Sequence, residues 1–349
     1  MNEPPSSGHP AGPSSDNVGE EAGELLLPPQ LSPDNIIPLD DGTAVHWQGK
    51  TMGTGWVLQA VLPLTCNADV VRQAVEQSFA CVIAQMSQWE PTSELSRFNA
   101  AAPGETIAIS AEFREVLDCA LMLAEASGGA FDPTLGEASN FWGFGASAQA
   151  APGATLDHDP TCQSGHWHRL RSAYDENGLT QPGGLQLDLS GIAKGFAVDL
   201  TTSVLQKLGI HHELLEIGGE FRGSGVQQDG LPWWVDIEQP PASTSAHTRI
   251  GLTGWALATS GNYHRRRSNG AGESWSHTLD PETGRPLDDT VMSVSVLHPG
   301  CMQADALATI LAVLGPQAGM QFARDHKIPA RIVTQAGTAS SPAWQAWCA

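Results

Sequence analysis

Apolar residues recur at three- and four-residue spacing over four stretches of the chain, the period of a helix with one buried face. In 68–87 the register runs through Val71, Val75, Phe79, Val82, Ile83 and Met86. In 110–127 Ser110 stands where an N-cap belongs, Phe113, Val116, Leu117, Ala120 and Leu121 share a face, and Gly128-Gly129 supplies the stop. The third predicted helix starts near Gly191 and runs to Leu208, with Ile192, Phe196, Leu200 and Val204 in register and Gly209 behind it. The fourth, "ADALATILAVLG" at 304–315, is apolar almost all round, as a buried helix is. Strand-like runs occupy 55–62, 184–189, 212–217, 233–238, 255–259, 291–297 and 330–335. Strands cluster between the third and fourth helices instead of alternating with helices, an order that favours an α+β fold over a doubly wound sheet.

Composition sets the boundaries. Residues 1–38 are rich in Pro, Ser, Gly and acid and read as a disordered tail; the folded domain is expected over 39–349. Within it, the Ala/Pro/Gly-rich stretch 145–168 reads as a surface loop. With 349 residues, 41% of them hydrophobic, the chain can bury a sizeable core. A formal net charge of -21 opposes encounters with nucleic acid or an anionic membrane, yet it leaves room for a small anionic ligand held by a metal ion and a few cationic side chains. The six cysteines form no C-x-x-C pair, so neither a zinc ribbon nor a thioredoxin-type site is indicated, and "GHWH" at 165–168 lacks further ligands at a useful spacing. No Lys or Arg precedes Lys50 and "ELLLPPQ" is too short for a signal core, so no membrane span or secretory signal is read and the expected compartment is the cytoplasm.

Several short segments carry polar groups that packing does not require. "GLQLDLSGIAKGFAVDL" reads as a strand ending at Asp188, a corner at Ser190-Gly191, and a helix whose first N–H groups point outward with the positive end of the dipole. Lys194 adds a formal charge there; the plainer reading is a capped helix with a solvent-exposed lysine. Asp305 is the only charge in "ADALATILAVLG", and a buried lone carboxylate must be paired, protonated or metal-bound. Thr309 lies one turn further on the same face, so its hydroxyl and the carboxylate can converge on a hard cation such as Mg²⁺; the alternative is an Asp that only complements the helix dipole. "SHTLDPETGRPL" (276–287) is a turn that explains Asp280, Pro281 and Gly284 but not His277, which can serve as a general base or fill a structural role. Trp89 sits at a forced helix stop before Glu90-Pro91, able to stack on a planar ligand or to cover the core. "GGAFDPTLG" (128–136) is another Gly-bounded corner, and "YHRRRSNG" (263–270) reads as a solvated hairpin end.

Taken in order, "MGT" (52–54), "SELSRFN" (93–99), "FDPTLG" (131–136), "FWGFG" (141–145), "DLSGIAKGFAVD" (188–199), "EIGGE" (216–220), "ALATSGNY" (256–263), "SHTLDPETGRPL" (276–287) and "ADALATILAVLG" (304–315) resemble the ApbE family of FAD:protein FMN transferases. The resemblance implies an ApbE-like, T-fold-related single catalytic domain of antiparallel and mixed sheets packed by helices. It implies Mg²⁺-dependent cleavage of FAD, release of AMP, and a phosphoester between FMN and a Thr or Ser hydroxyl of an acceptor protein. By the same resemblance Asp305 and Thr309 would hold the metal, aided by the carbonyls of Gly191 and Ala308. Met52, Trp89, Ala130, Phe131, Asp132, Asp188, Lys194 and Thr278 would line the FAD site, and His277 would take the acceptor's proton. Trp89 stands where the family commonly has Tyr, and Gly218-Gly219-Glu220 where many members have Gly-Gly-Asp. The family's exported members make the periplasm the alternative compartment. The competing functions are an FAD diphosphatase, with water in place of the acceptor, and a non-catalytic flavin-binding protein, for which a base and a metal pair would have no use.

Overall fold

The computed structural model describes residues 23–31, 36–39, 41–146, 155, 166–241, 243, 246–263 and 265–347. Most of the stretches 1–38 and 145–168 therefore lies outside the described residues. Eight strands pair side by side, each antiparallel to its neighbours: β2 (Gly42–Thr51), β3 (Thr54–Pro63), β7 (Glu213–Ile217), β8 (Glu220–Ser224), β11 (Trp255–Gly261), β14 (Val291–His298), β15 (Ala330–Thr334) and β16 (Gly337–Ser340). Their spatial order is β16-β15-β14-β11-β8-β7-β3-β2.

Both faces of this sheet are covered, and the two-residue period of its strands sorts the side chains between them. Leu58, Leu215, Ala256, Val294 and Val296 enter the larger core, built with helices α1 (Ala68–Met86), α3 (Ala111–Ala126), α6 (Ala193–Lys207) and α7 (Cys301–Asp325). Val61, Leu214, Leu257 and Leu297 enter a smaller core on the opposite face. That core is closed by a second sheet of β1 (Glu24–Leu26), β10 (Thr248–Leu252) and β9 (Trp233–Asp236), with Trp344 of α8 (Pro342–Gln345). Short elements complete the frame: α2 (Glu94–Ala100), α4 (Gly136–Phe141), α5 (Trp167–Ser172), the three-stranded β4 (Thr106–Ile107), β6 (Gly178–Thr180), β5 (Tyr174–Asp175), and the hairpin β12 (Arg266–Ser268) with β13 (Ser274–Ser276). The architecture is α+β, and the expected helix starts recur: Asn67 caps α1 through Asp69 N–H at 2.9 Å and Ser110 caps α3 through Phe113 N–H at 3.3 Å.

Three segments depart from the sequence pattern. Residues 184–189 alternate in burial as a strand would, but they join no sheet, because their backbone groups are taken by loops and a side chain. Leu187 N–H donates to Asn99 Oδ1 at 2.7 Å, Asn99 Nδ2 donates to the Leu187 carbonyl at 3.0 Å, and Asp188 N–H donates to the Pro133 carbonyl at 2.9 Å. The helix predicted over 304–315 runs from Cys301 to Asp325 with a break at Gly315 (φ 74°, ψ 178°), after which Pro316 opens a second helical stretch that buries Met320 and Ala323. Residues 24–26, within the stretch whose composition reads as tail, form β1: Leu26 is fully buried and Glu24 accepts from Thr248 Oγ1 at 3.0 Å. Among the described residues α7 is the one helix long and apolar enough to cross a membrane by composition; here it packs against β11, β14 and α6.

Helices α6 and α7 meet at their N-termini, and neither has a side-chain cap of its own. Each supplies the other's. Asp305 of α7 accepts from Gly195 N–H of α6 at 3.1 Å, while Asp199 of α6 accepts from Cys301 N–H at 3.0 Å and Met302 N–H at 2.9 Å. Arg222 of β8 pairs with Asp199 from the sheet side. Gly195 is required for the approach: a Cβ there would overlap the Cys301 carbonyl and come within 2.9 Å of the Asp305 Cβ. Replacing Asp199 with Ala strips two N–H groups of their acceptor and leaves Arg222 without its carboxylate. Urea unfolding should show a loss of ~2–3 kcal/mol; a loss under ~0.5 kcal/mol would mean that water caps α7 equally well.

Candidate active site: the cavity at the junction of two helices

The corner that precedes α6 forms the floor of a cavity of about 210 Å³. Its walls come from the Ala130–Asp132 corner, from Asp188, Gly191 and Lys194, from Glu220 and the end of β11, from the His277–Leu279 turn, and from Asp305 and Thr309 on α7. A second, wider cavity of about 670 Å³ is bordered by Met52, Trp89, Phe144 and Arg265–Arg267, and a third, small one joins the two along Met52, Trp89, Asp188 and Lys194. Together they reach the size range of sites for ligands larger than a single phosphate or sugar. Of the residues that the resemblance assigns to the site, all border these cavities except Ala308, which is fully buried inside α7.

The oxygen-rich part of the site rests on the junction of α6 and α7. Lys194 Nζ lies 2.5 Å from Glu220 Oε1 and 4.0 Å from Asp305 Oδ2, so the lysine is held between two buried carboxylates instead of standing in solvent. Burial works against its ammonium form, but Asp305 and Glu220 outweigh that and raise its pKa. Burial likewise pushes Glu220 up to about 8 against the pull of Lys194, and raises Asp305. Two carboxylates thus share one ammonium, and Glu220 Oε2 is buried with no hydrogen-bond partner among the described residues. A Cβ on Gly191 would lie 3.3 Å from Thr309 Oγ1, which measures how closely the corner approaches α7. The donors present near Asp305 and Thr309 are carboxylate, hydroxyl and backbone oxygens, a set suited to a hard cation. Among the described residues no group of three or more His, Cys, Asp or Glu side chains is arranged for a metal. His168 of the "GHWH" stretch stacks on Trp167 with ring centroids 3.5 Å apart, and Cys66, Cys81, Cys119 and Cys301 are free thiols.

The corner itself is a leaner anion cradle than the sequence suggests. Ser190 N–H is taken by Asp188 Oδ1 at 2.8 Å, those of Ile192 and Ala193 by the Leu189 carbonyl, and that of Gly195 by Asp305. Asp188 also accepts from Ser139 Oγ of α4 at 2.5 Å. The Asp132 carboxylate serves its own corner, accepting from Thr134 N–H at 2.8 Å, Thr134 Oγ1 at 2.5 Å and Trp167 N–H at 3.3 Å; burial raises its pKa despite these bonds. Ala130, Phe131 and Thr278 are buried on the wall, whereas Trp89 is 51% exposed and presents a ring to the second and third cavities. Met52 faces it from the tip of the β2–β3 hairpin, where Met52 and Gly53 both take positive φ (47° and 75°), the backbone of a two-residue turn.

His277 is placed by aromatic packing. Trp142, of the "FWGFG" motif, donates to the Gly284 carbonyl at 2.8 Å, and Trp275 donates to the Trp142 carbonyl at 3.2 Å, tying that motif to the D-P-E-T-G turn. The turn is closed by Asp280, which accepts from Glu282 N–H and Thr283 Oγ1, both at 2.9 Å. Phe144 packs edge-on against the His277 ring at 6.2 Å. Burial, reinforced by the positive charges of Arg265 and Lys194, brings the His277 pKa down to about 4, and its Nδ1 is buried with no hydrogen-bond partner among the described residues. The ring is therefore neutral at physiological pH with a lone pair available, the state a general base needs. Sequence reasoning left Glu220 without a role and placed Arg265 in a solvated hairpin end. The signal for Glu220 was its position after Gly218-Gly219, whereas nothing in the run of arginines distinguishes Arg265 from its neighbours.

The ApbE family model matches residues 52–332. An FAD:protein FMN transferase of Vibrio cholerae is 36% identical over 301 residues, covering 83% of this chain and 87% of the relative. One of Haemophilus influenzae is 33% identical over 303 residues, covering 83% of this chain and 86% of the relative. Among solved structures, the apo flavinyl transferase ApbE of Pseudomonas stutzeri superposes with a TM-score of 0.79 at 31% identity, covering 89% of this chain and 99% of that one. The flavin transferase ApbE of Vibrio cholerae gives a TM-score of 0.75 at 34% identity, with coverage of 88% and 99%.

The depressed basicity of His277 has a consequence for stability. Its folded pKa, about 4, lies below the ordinary 6.5, so the unfolded chain binds the extra proton first. The stability it contributes is complete above the ordinary value and is lost as pH falls toward the folded one. Between about pH 7 and about pH 5 the unmodified chain should lose ~2 kcal/mol more than a His277→Gln variant, measured by urea unfolding. Parallel pH profiles for the two would show that His277 titrates normally.

Proposed function

The chain belongs to the ApbE family, and from that premise we propose that it is an FAD:protein FMN transferase that cleaves FAD and attaches FMN to a Thr or Ser hydroxyl of an acceptor protein, releasing AMP. The observation that carries this reading is the convergence of Asp305, Thr309 and the Gly191 corner with Lys194 and His277 on one cavity that continues into an aromatic-walled one. A protein that only held a flavin would have no use for a neutral imidazole with its Nδ1 left open beside a set of hard oxygen donors.

The chemistry asks for a phosphorus made electrophilic beside a nucleophile deprotonated as it attacks. Asp305 and Thr309 would hold Mg²⁺, with the backbone carbonyls of Gly191 and Ala308 as further oxygen donors; the ion would supply neutralisation of the diphosphate charge. Trp89 and Met52 offer an apolar face for one planar ring of the dinucleotide. Lys194, fixed by Glu220, sets a positive charge at the cavity floor. His277 takes the proton of the acceptor hydroxyl as its oxygen bonds to the FMN-side phosphorus. The bond between that phosphorus and the bridging oxygen breaks, and AMP leaves with the electron pair. Because the ring is already neutral, no proton must be removed from it beforehand.

Incubation with FAD, Mg²⁺ and an acceptor bearing a Thr-containing flavinylation segment should give AMP and an acceptor heavier by FMN, read by mass spectrometry. Free FMN with AMP and an unmodified acceptor would instead mark a diphosphatase, and the absence of either product a binding protein. Asp305→Ala should lower turnover by at least ~100-fold, since both the cation site and the α6 contact are lost; full activity in that variant would remove Asp305 from the metal site. His277→Ala should bind FAD within about twofold of the unmodified chain while transfer slows ~100-fold or more, and equal rates would exclude it as the base.

A further inference from the structure

Among the described residues, Arg265 is the one that borders all three cavities. It belongs to a run of three arginines, and the other two are committed to structure. Arg266 donates to both Asp289 oxygens, at 2.6 and 3.3 Å, and to Ser274 Oγ at 3.0 Å, while Arg267 Nε donates to the Gly143 carbonyl at 3.0 Å. The loop before them is anchored by Asn262, whose Nδ2 donates to the Val291 carbonyl at 2.9 Å. Between these fixed points Arg265 is exposed, and among the described residues no hydrogen bond or ion pair holds its guanidinium. In a chain with 38 acidic residues against 17 lysines and arginines, a cation left without a carboxylate at the mouth of a polar cavity has a ligand-facing position.

Its place at the junction says which ligand group it meets. On one side lie Lys194, His277 and the Asp305–Thr309 face; on the other lie Trp89, Met52 and Phe144. A dinucleotide that spans both cavities must carry its diphosphate across the point where they join. Resting on the flavin-transferase reading, we propose that Arg265 binds the diphosphate of FAD and makes the site select phosphorylated flavins over riboflavin. A guanidinium can engage two phosphate oxygens at once, and its charge offsets an anionic substrate approaching an anionic protein.

The test is equilibrium binding to the unmodified chain, Arg265→Gln and Arg265→Lys, with FAD, riboflavin and inorganic pyrophosphate as probes. Flavin fluorescence follows the first two and calorimetry the third. Arg265→Gln should weaken FAD about 10- to 30-fold and pyrophosphate by a similar factor, with riboflavin changed less than about twofold; Arg265→Lys should recover part of the loss. Equal weakening of FAD and riboflavin would overturn the proposal in favour of packing against the flavin ring, and unchanged FAD and pyrophosphate binding would overturn it outright. Should the unmodified chain fail to bind FAD, the flavin-transferase reading falls, and the pyrophosphate comparison alone decides Arg265: a loss on substitution supports phosphate binding and no change refutes it. The side chain is exposed, so all variants should keep the unmodified melting temperature.

Discussion

Two helix N-termini facing each other, each capped by a carboxylate from the other, set the geometry on which this structure depends. Asp305 reaches Gly195 N–H while Asp199 reaches Cys301 and Met302 N–H. A single cap fixes one end of one helix; this reciprocal pair fixes the separation, rotation and relative height of two helices at once. It also brings the N-terminus of α6, with Lys194, to the cavity where an anionic substrate would sit. Because Gly195 has no Cβ, the helices approach closely enough for Asp305 to serve both α6 and the cavity. The same carboxylate is thus a structural cap and a chemical group, and stability and chemistry are joined in one side chain.

That union accounts for the crowding of charge around Lys194. Burying Asp305 would be costly without compensation, and Lys194 with the Gly195 N–H provides it. Glu220 then holds Lys194 in place from β8, at the cost of a second buried carboxylate whose Oε2 has no partner among the described residues. An orphaned carboxylate oxygen is expensive in a core but ordinary beside a cavity that receives a cation or a donor group. His277 follows the opposite logic: burial first, and then the positive charges of Arg265 and Lys194 that suit a diphosphate, keep a proton off its ring, so the surroundings that would receive the substrate also leave the base unprotonated.

The secondary structure was legible where one periodicity decided it. The registers of α1 and α3, the cap at Ser110, and the run of strands after α6 were all visible, because a helix face or a half-buried strand imprints its spacing on consecutive residues. Residues 184–189 carry a strand's alternation without its pairing, since Asn99 and the Pro133 loop occupy the backbone groups that a neighbouring strand would use. No local pattern reveals a partner 88 residues away. The kink at Gly315 was misread for the same reason: Gly-Pro ends a helix in isolation, and packing of Met320 and Ala323 restarts it.

The site was legible as a set of residues that local packing left unexplained: Asp305 in an apolar helix, His277 in a turn that does not need it, and Lys194 in a glycine-flanked corner. Their common destination was not, since it depends on the meeting of segments from α6, α7, β8 and the β13–β14 turn. The resemblance supplied that destination because an ordered series of motifs carries tertiary information that no single motif holds. It did not single out Arg265. Arg265 has the same side chain as its two neighbours; they are captured by Asp289, Ser274 and the Gly143 carbonyl, and it is the member of the run that borders all three cavities. In so acidic a protein, which arginine remains unpaired is decided by where the carboxylates lie in space, and that is a property of the fold rather than of the run itself.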